Sequence, residues 1–259
     1  MQLYSRRFGE GKPVLILHGL FGSSDNWLSF GKALAIHGYE VHLLDLRNHG
    51  QSPHHPVFDY ASLSADVIEY IETSGIHLPV VVGHSLGGKT TLKLAVTAPH
   101  LLSGMVIIDI APRYYPVHHR QILDALESVD FNLMKSRTEV EAELSKSISE
   151  PAVLQFMLKN VWWKEKDKLA WRFHLEAISL NIENVGEPVY PEGFFHLPSL
   201  FIRGEESGYI TDADETDILE KFSGSEVVTA PGAGHWVHAD NPEWLMKTLL
   251  EFLGRYAKY

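Results

Sequence analysis

The stretch Pro79-Val80-Val81-Val82-Gly83-His84-Ser85-Leu86-Gly87-Gly88-Lys89 decides how this chain is read. An aliphatic run without polar alternation is what a strand buried on both faces requires. After it, residues 86–97 carry a helical pattern. A serine between the two sits on a tight strand-to-helix turn, and glycines two residues to either side let neighbouring backbone pass where a Cβ would clash. The hydroxyl is then exposed at a helix N-terminus, where the Leu86 N–H and the helix dipole favour developing negative charge. A nucleophilic serine explains this pattern better than a glycine-rich turn of no function.

Short apolar runs alternate with helical patterns on both sides of this turn. Residues 2–8, 14–18, 39–45, 79–83, 105–109, 200–203 and 227–229 read as strands. Residues 26–37 read as a helix capped by Asp25 and stopped by Gly38, residues 60–74 as one stopped by Gly75, and residues 242–256 as one capped by Asn241. The alternation predicts an α/β fold with a mostly parallel central sheet flanked by helices. Residues 113–196 break it, with helical stretches at 119–129, 138–147, 151–160 and 175–182 and no obvious central strand between them, which reads as an insertion rather than a second sheet. We therefore expect a core domain, 1–112 and 197–259, and a helical cap, 113–196, inserted after the strand ending at Asp109. Both ends of the cap would leave the carboxyl edge of the sheet, where such folds bind ligands. Its aromatic residues read mainly as a small core of the cap.

Zero cysteines exclude disulfides, thiolate metal sites and a cysteine nucleophile. A serine needs a base to take its proton. His235 supplies one in the loop Pro231-Gly-Ala-Gly-His235, after a strand and before the last helix, with His238 as the fallback. The loop His18-Gly19-Leu20-Phe21-Gly22 can turn a backbone N–H toward the nucleophile's oxyanion. Leu20 is assigned as that donor beside Leu86, and Phe21 is the alternative. His18, and the run Asp45-Leu-Arg47-Asn48-His49-Gly50-Gln-Ser52, read as structural. Although there are 15 histidines, the pairs His54-His55 and His118-His119 diverge on any regular element, so no metal is expected.

With 22 Lys+Arg against 33 Asp+Glu the net charge is −11, which repels nucleic acid and anionic lipid surfaces. The run Lys164-Glu-Lys-Asp-Lys168 mixes both signs and reads as a solvated turn. No apolar stretch approaches the roughly 20 residues of a membrane span, and the first residues lack an apolar leader. These features predict a cytoplasmic monomer or small homo-oligomer with a small-molecule partner, neither nucleic-acid- nor membrane-bound.

Taken in order, His18-Gly19, Asp45-x-Arg47-x-His49-Gly50-x-Ser52, Gly83-His84-Ser85-Leu86-Gly87-Gly88 and Gly232-Ala-Gly-His235-Trp236 resemble the α/β-hydrolase superfamily from end to end. The strings Gly19-Leu-Phe-Gly22, Arg47-Asn-His-Gly50, Gly88-Lys89, Asp109-Ile-Ala-Pro112 and Gly234-His-Trp-Val-His238 resemble the YbfF-like esterases. The resemblance implies a serine hydrolase of carboxylic esters or thioesters, acyl-CoA included, working without a cofactor through a Ser-Asp-His triad. In most such relatives the acid follows the strand read at 200–203, where this chain has Ser207. Asp109 is preferred in its place, because it ends the strand beside that of the nucleophile, about 4.8 Å away. Glu205, Glu206, Asp212 and Asp214 remain alternatives. Trp236, Trp162, Trp163 and Phe156 are the expected substrate contacts. The fold also hosts C–C bond hydrolases and lyases using the same triad, and non-catalytic small-ligand receptors. A dehalogenase would want a carboxylate at position 85.

Overall fold

In the computed structural model of the chain, residues 1–116, 120–193 and 195–257 are described. The strands are β1 (Ser5–Phe8), β2 (Lys12–Leu17), β3 (Tyr39–Leu44), β4 (Val80–His84), β5 (Gly104–Ile108), β6 (Val161–Glu165), β7 (Lys168–Trp171), β8 (Ser199–Gly204) and β9 (Ser225–Ala230). Seven of them form one sheet in the order β1-β3-β2-β4-β5-β8-β9, with β1 antiparallel to β3 and every other pairing parallel. The α/β reading therefore holds, with β4, the strand that leads to Ser85, in the middle.

Residues in a strand alternate between faces, and here both faces are apolar. Leu15 and Leu17 of β2, Val81 of β4 and Met105 and Ile107 of β5 join one buried cluster; Val14, Ile16, Val80, Val82, Val106 and Ile108 join the other. The first face is covered by α2 (Tyr60–Thr73) and α3 (Leu86–Thr97). The second is covered by α1 (Leu28–Ala35) and, at the far end of the chain, the 15-residue helix Pro242–Tyr256. Sheet faces covered on both sides explain why these strands read as continuous aliphatic runs.

The expected cap at Asp25 is displaced. A 3-10 turn, Ser24–Trp27, precedes α1, and the Ser23 N–H donates to Asn26 Oδ1 at 2.7 Å. Asp25 instead pairs with Arg6.

Between β5 and β8 lie α4 (Arg120–Glu127), α5 (Arg137–Leu144), α6 (Pro151–Leu158), α7 (Leu175–Leu180) and α8 (Ile182–Val185). None of this segment joins the central sheet among the described residues, but it is not wholly helical, because β6 and β7 pair as a separate antiparallel hairpin. Trp162-Trp163 and Leu169-Ala-Trp171 supply the large side chains that suit a pleated surface. Asp167, at φ +64, turns the chain between them. A helix missing from the sequence reading, α9 (Asp212–Lys221), follows β8 and is capped reciprocally by Thr211 and Asp214. The short α10 (Val237–Asp240) leads into α11 (Pro242–Tyr256). Among the described residues no helix is long and apolar enough to cross a membrane.

Candidate active site

Ser85 joins β4 to α3 with φ 52 and ψ −113. Such a backbone costs a non-glycine residue about 1–3 kcal/mol, and packing has to hold it there. The Ser85 N–H donates to Ile108 O at 3.0 Å, and the Gly87 N–H donates to His18 O at 3.1 Å. A Cβ on Gly83 would lie 2.2 Å from Gly87 O, and one on Gly87 would lie 2.4 Å from Leu17 O. Both glycines are thus required by close backbone approach, as the sequence pattern implied.

One strand along, Asp109 follows β5 with φ 51 and is fully buried. Its Oδ1 accepts the Gly204 N–H at 2.9 Å. Its Oδ2 accepts from His235 Nδ1 at 2.7 Å and from the Ser207 hydroxyl. Among the acids weighed from the sequence, Asp109 is the one paired with His235. Glu205 accepts the Gly232 N–H, Asp212 pairs with Arg203, Asp214 pairs with Arg113, and Glu206 lines the cavity. The Tyr209 ring stacks on His235 at 4.0 Å and 20°. Neither Ser207 nor Tyr209 was expected to act here. Ser207 stands at the position where the resemblance implied an acid, and its hydroxyl donates to Asp109 instead.

The loop after β2 brings Leu20 and Phe21 to the same cavity as Ser85. The Phe21 N–H donates to His49 Nε2 at 3.2 Å, whereas the Leu20 N–H makes no hydrogen bond among the described residues. The Leu86 N–H opens α3, where first-turn donors have no partner within the helix. Burial keeps the surrounding histidines neutral, since a charged ring would lose its hydration. It pushes His18 down to about 4, despite the opposing bond to the Gly19 carbonyl, and His49 and His238 down to about 3. His84 also falls well below its ordinary value, and its Nε2–H donates to His235 O at 2.8 Å. The run from Asp45 to Ser52 is a clamp, as expected. Asp45 accepts the Ser24 and Gln51 N–H groups at 2.6 and 2.8 Å, and Arg47 pairs with buried Asp66.

The cavity measures about 760 Å³ and is lined by Ser85 and His235 together with Phe156, Met157, Tyr209 and Trp236. Phe156 and Trp236, two of the four expected substrate contacts, both line it, 5.5 Å apart between ring centres. Trp162 and Trp163 do not line it. On a strand rather than a helix their side chains diverge: Trp162 packs under Arg172 and donates to Trp171 O, while Trp163 is 52% exposed. A more open depression of about 880 Å³ between α1 and α11 shares only Asn26 and His238 with the cavity. Among the described residues no group of three or more His, Cys, Asp or Glu could hold a metal. His118-His119 lie outside the described residues.

A family model described as alpha/beta hydrolase fold matches residues 12–160. An sn-1-specific diacylglycerol lipase, ABHD11 of Danio rerio, is 34% identical over 253 residues, covering 95% of this chain and 79% of that protein. Esterase YbfF of Escherichia coli is 32% identical over 246 residues, covering 94% of each. A solved structure, a marine microorganism esterase, is 38% identical with a TM-score of 0.94, covering 98% of this chain and all of its own. The likeness to YbfF-like esterases, first carried by short strings, thus extends over nearly the whole sequence. Family model, relatives and sheet order agree that this chain belongs to the α/β-hydrolase family.

Proposed function

We propose that the chain is a serine-dependent hydrolase of carboxylic esters. The observation that carries this reading is the 2.7 Å contact between His235 Nδ1 and buried Asp109, beside a serine on a strained strand-to-helix turn. The esterase and lipase relatives support it. Asp109 accepts a hydrogen bond from the Nδ1–H of His235, which leaves the Nε2 lone pair free to take the proton of Ser85 as its Oγ attacks the ester carbonyl. The carbonyl oxygen, now an anion, takes hydrogen bonds from the Leu86 and Leu20 N–H groups. Leu20 is preferred to Phe21 because the Phe21 N–H is already donated to His49. His235 then protonates the departing alcohol, and water repeats the sequence on the acyl-enzyme.

Residues 113–196 act in this reading as the cap over the acyl group, through Ile122, Val153, Phe156 and Met157. The cavity is of a size that holds a drug-sized ligand, which suits short- to medium-chain acyl esters. Glu150, Glu206 and Asp240 also line it. They favour an uncharged leaving group over the phosphates of an acyl-CoA, because like charges repel.

The test is turnover of p-nitrophenyl and CoA esters from acetyl to palmitoyl. Ser85→Ala should lower kcat on the best substrate by about 10⁴–10⁶ and leave the circular dichroism unchanged. Near-normal turnover by that variant would overturn the reading. Labelling of Ser85 by a fluorophosphonate without turnover of any ester would point to a receptor instead.

A further inference from the structure

Lys89 lies one helical turn beyond Ser85 and is 1% exposed. Buried lysines are ordinarily paired with an acid, yet among the described residues no carboxylate forms an ion pair with this one. Its Nζ donates instead to three main-chain carbonyls, Arg113 O at 2.7 Å, Glu187 O at 2.5 Å and Gly186 O at 3.2 Å. An ammonium has three donors, and all three are used. The charge also lies over the rings of Tyr115 at 4.8 Å and Tyr60 at 5.9 Å.

These acceptors stand at the two crossings of the 113–196 segment, one where the chain leaves the sheet and one where it returns. The crossings are joined to each other as well: the Tyr115 N–H donates to Gly186 O at 2.9 Å and the Val189 N–H to Pro112 O at 2.8 Å. From this neck a chain of contacts reaches the site. The Tyr115 hydroxyl accepts the Ala111 N–H and donates to Tyr209 O, and the Tyr209 ring stacks on His235.

Keeping a charge at such a place is costly. Burial and the neighbouring Arg113 guanidinium, itself held by Asp214, push the Lys89 ammonium down to about 7, with Glu187 opposing. A methionine has nearly the same length and no such cost, so a helix needing only packing has no use for the amine.

We propose that Lys89 is a positioning residue, which fastens both crossings of the 113–196 segment to the helix opened by Ser85 and, through Tyr115 and Tyr209, fixes the surface on which His235 rests. The proposal rests on the serine-hydrolase reading, in which His235 is the base.

The experiment compares the wild type with Lys89→Met on p-nitrophenyl acetate, a substrate too small to depend on the far reaches of the cavity. The expected result is a fall in kcat of about 10-fold or more with KM within about 2-fold, the pattern of an interaction felt in the transition state. Hydrogen exchange at the Tyr115 and Val189 amides should quicken. Because the chain has no cysteine, Lys89→Cys carries a unique thiol. Alkylated with 2-bromoethylamine in denaturant and refolded, it regains an ammonium at lysine's length and should recover at least half the kcat of wild type treated alike. Alkylation with neutral iodoacetamide should not restore it. Wild-type kcat and exchange in a folded Lys89→Met protein, or equal rescue by both reagents, would overturn the proposal. If Lys89→Met does not fold, the two alkylated proteins decide. If the wild type hydrolyses no ester, the hydrolase reading fails and the neck amides alone decide whether Lys89 fastens the crossings.

Discussion

Asp45 and Asp109 invite comparison because so much about them is the same. Each directly follows a parallel strand, β3 or β5, and they are 1% and 0% exposed. Asp45 spends its oxygens on the amides of Ser24 and Gln51, and its own carbonyl accepts the Ser52 hydroxyl. None of those donors ionises near neutral pH, so this carboxylate is a strut tying three backbone segments together. Asp109 gives one oxygen to a fixed amide, that of Gly204, but shares the other between a hydroxyl and the His235 ring. On the serine-hydrolase reading, the distinction between strut and chemical group therefore lies in the donor. Strand, burial and residue type do not separate them.

Substitution should pull the two apart. Asp109→Asn removes the acceptor that orients His235 and should lower ester kcat by about 10³–10⁴, with urea unfolding little changed. Glu206→Gln should stay near wild type, and the reverse ranking would move the acid to the loop after β8. Asp45→Asn should do the opposite. One backbone N–H would then face an amide NH₂, so the unfolding free energy should drop by about 1–3 kcal/mol while kcat of the folded protein stays within a few-fold.

The strut side also has its own pH signature, through His18 and His49, whose rings lie 5.0 Å apart. Their folded values, about 4 and about 3, lie below the ordinary 6.5. Below pH 6.5 the unfolded chain takes up protons that the folded chain refuses, so stability is whole above that value and declines as pH falls toward 4 and then 3. His49→Gln should reduce the acid slope of urea-derived stability by about 1.4 kcal/mol per pH unit. An unchanged slope would mean that the ring is already protonated in the fold. The smallest effect is expected for Ser207→Ala, about 5-fold in kcat from the loss of one hydrogen bond to Asp109. A loss as large as that of Asp109→Asn would make the hydroxyl an equal partner.

What was legible in the sequence follows from the range of the interactions involved. The β4 turn announces itself locally, since aliphatic residues, glycines and serine must be neighbours in the chain to make it. Asp109 could be reached by counting strands, because adjacent strands place their ends side by side. The hairpin of β6 and β7 was hidden because Trp162 and Trp163 look alike on a helix or a strand over so short a run, and only their partner strand decides. Ser207 and Tyr209 were missed as contributors for a different reason. Their contacts with Asp109 and His235 exist only once the loops after β8 and β9 have closed over the end of β5. Lys89 was visible as part of a family-like string, but nothing in a linear reading brings Arg113 and Glu187 to one nitrogen.

The joined crossings of the neck have a consequence for how such a protein can change. Where Tyr115 meets Gly186 and Pro112 meets Val189, the two chains run together at the spacing of a paired ribbon, about 5 Å. To the sheet, everything between them is equivalent to one long turn. The segment is also tied to the core along its length, by Asn160 Nδ2–H donating to Phe21 O at 2.9 Å and the His174 N–H to Asn48 O at 2.8 Å, so a segment exchanged there has to keep those contacts as well as the spacing of its ends. On the serine-hydrolase reading, specificity is carried by a cassette held at a neck where Lys89 meets both crossings.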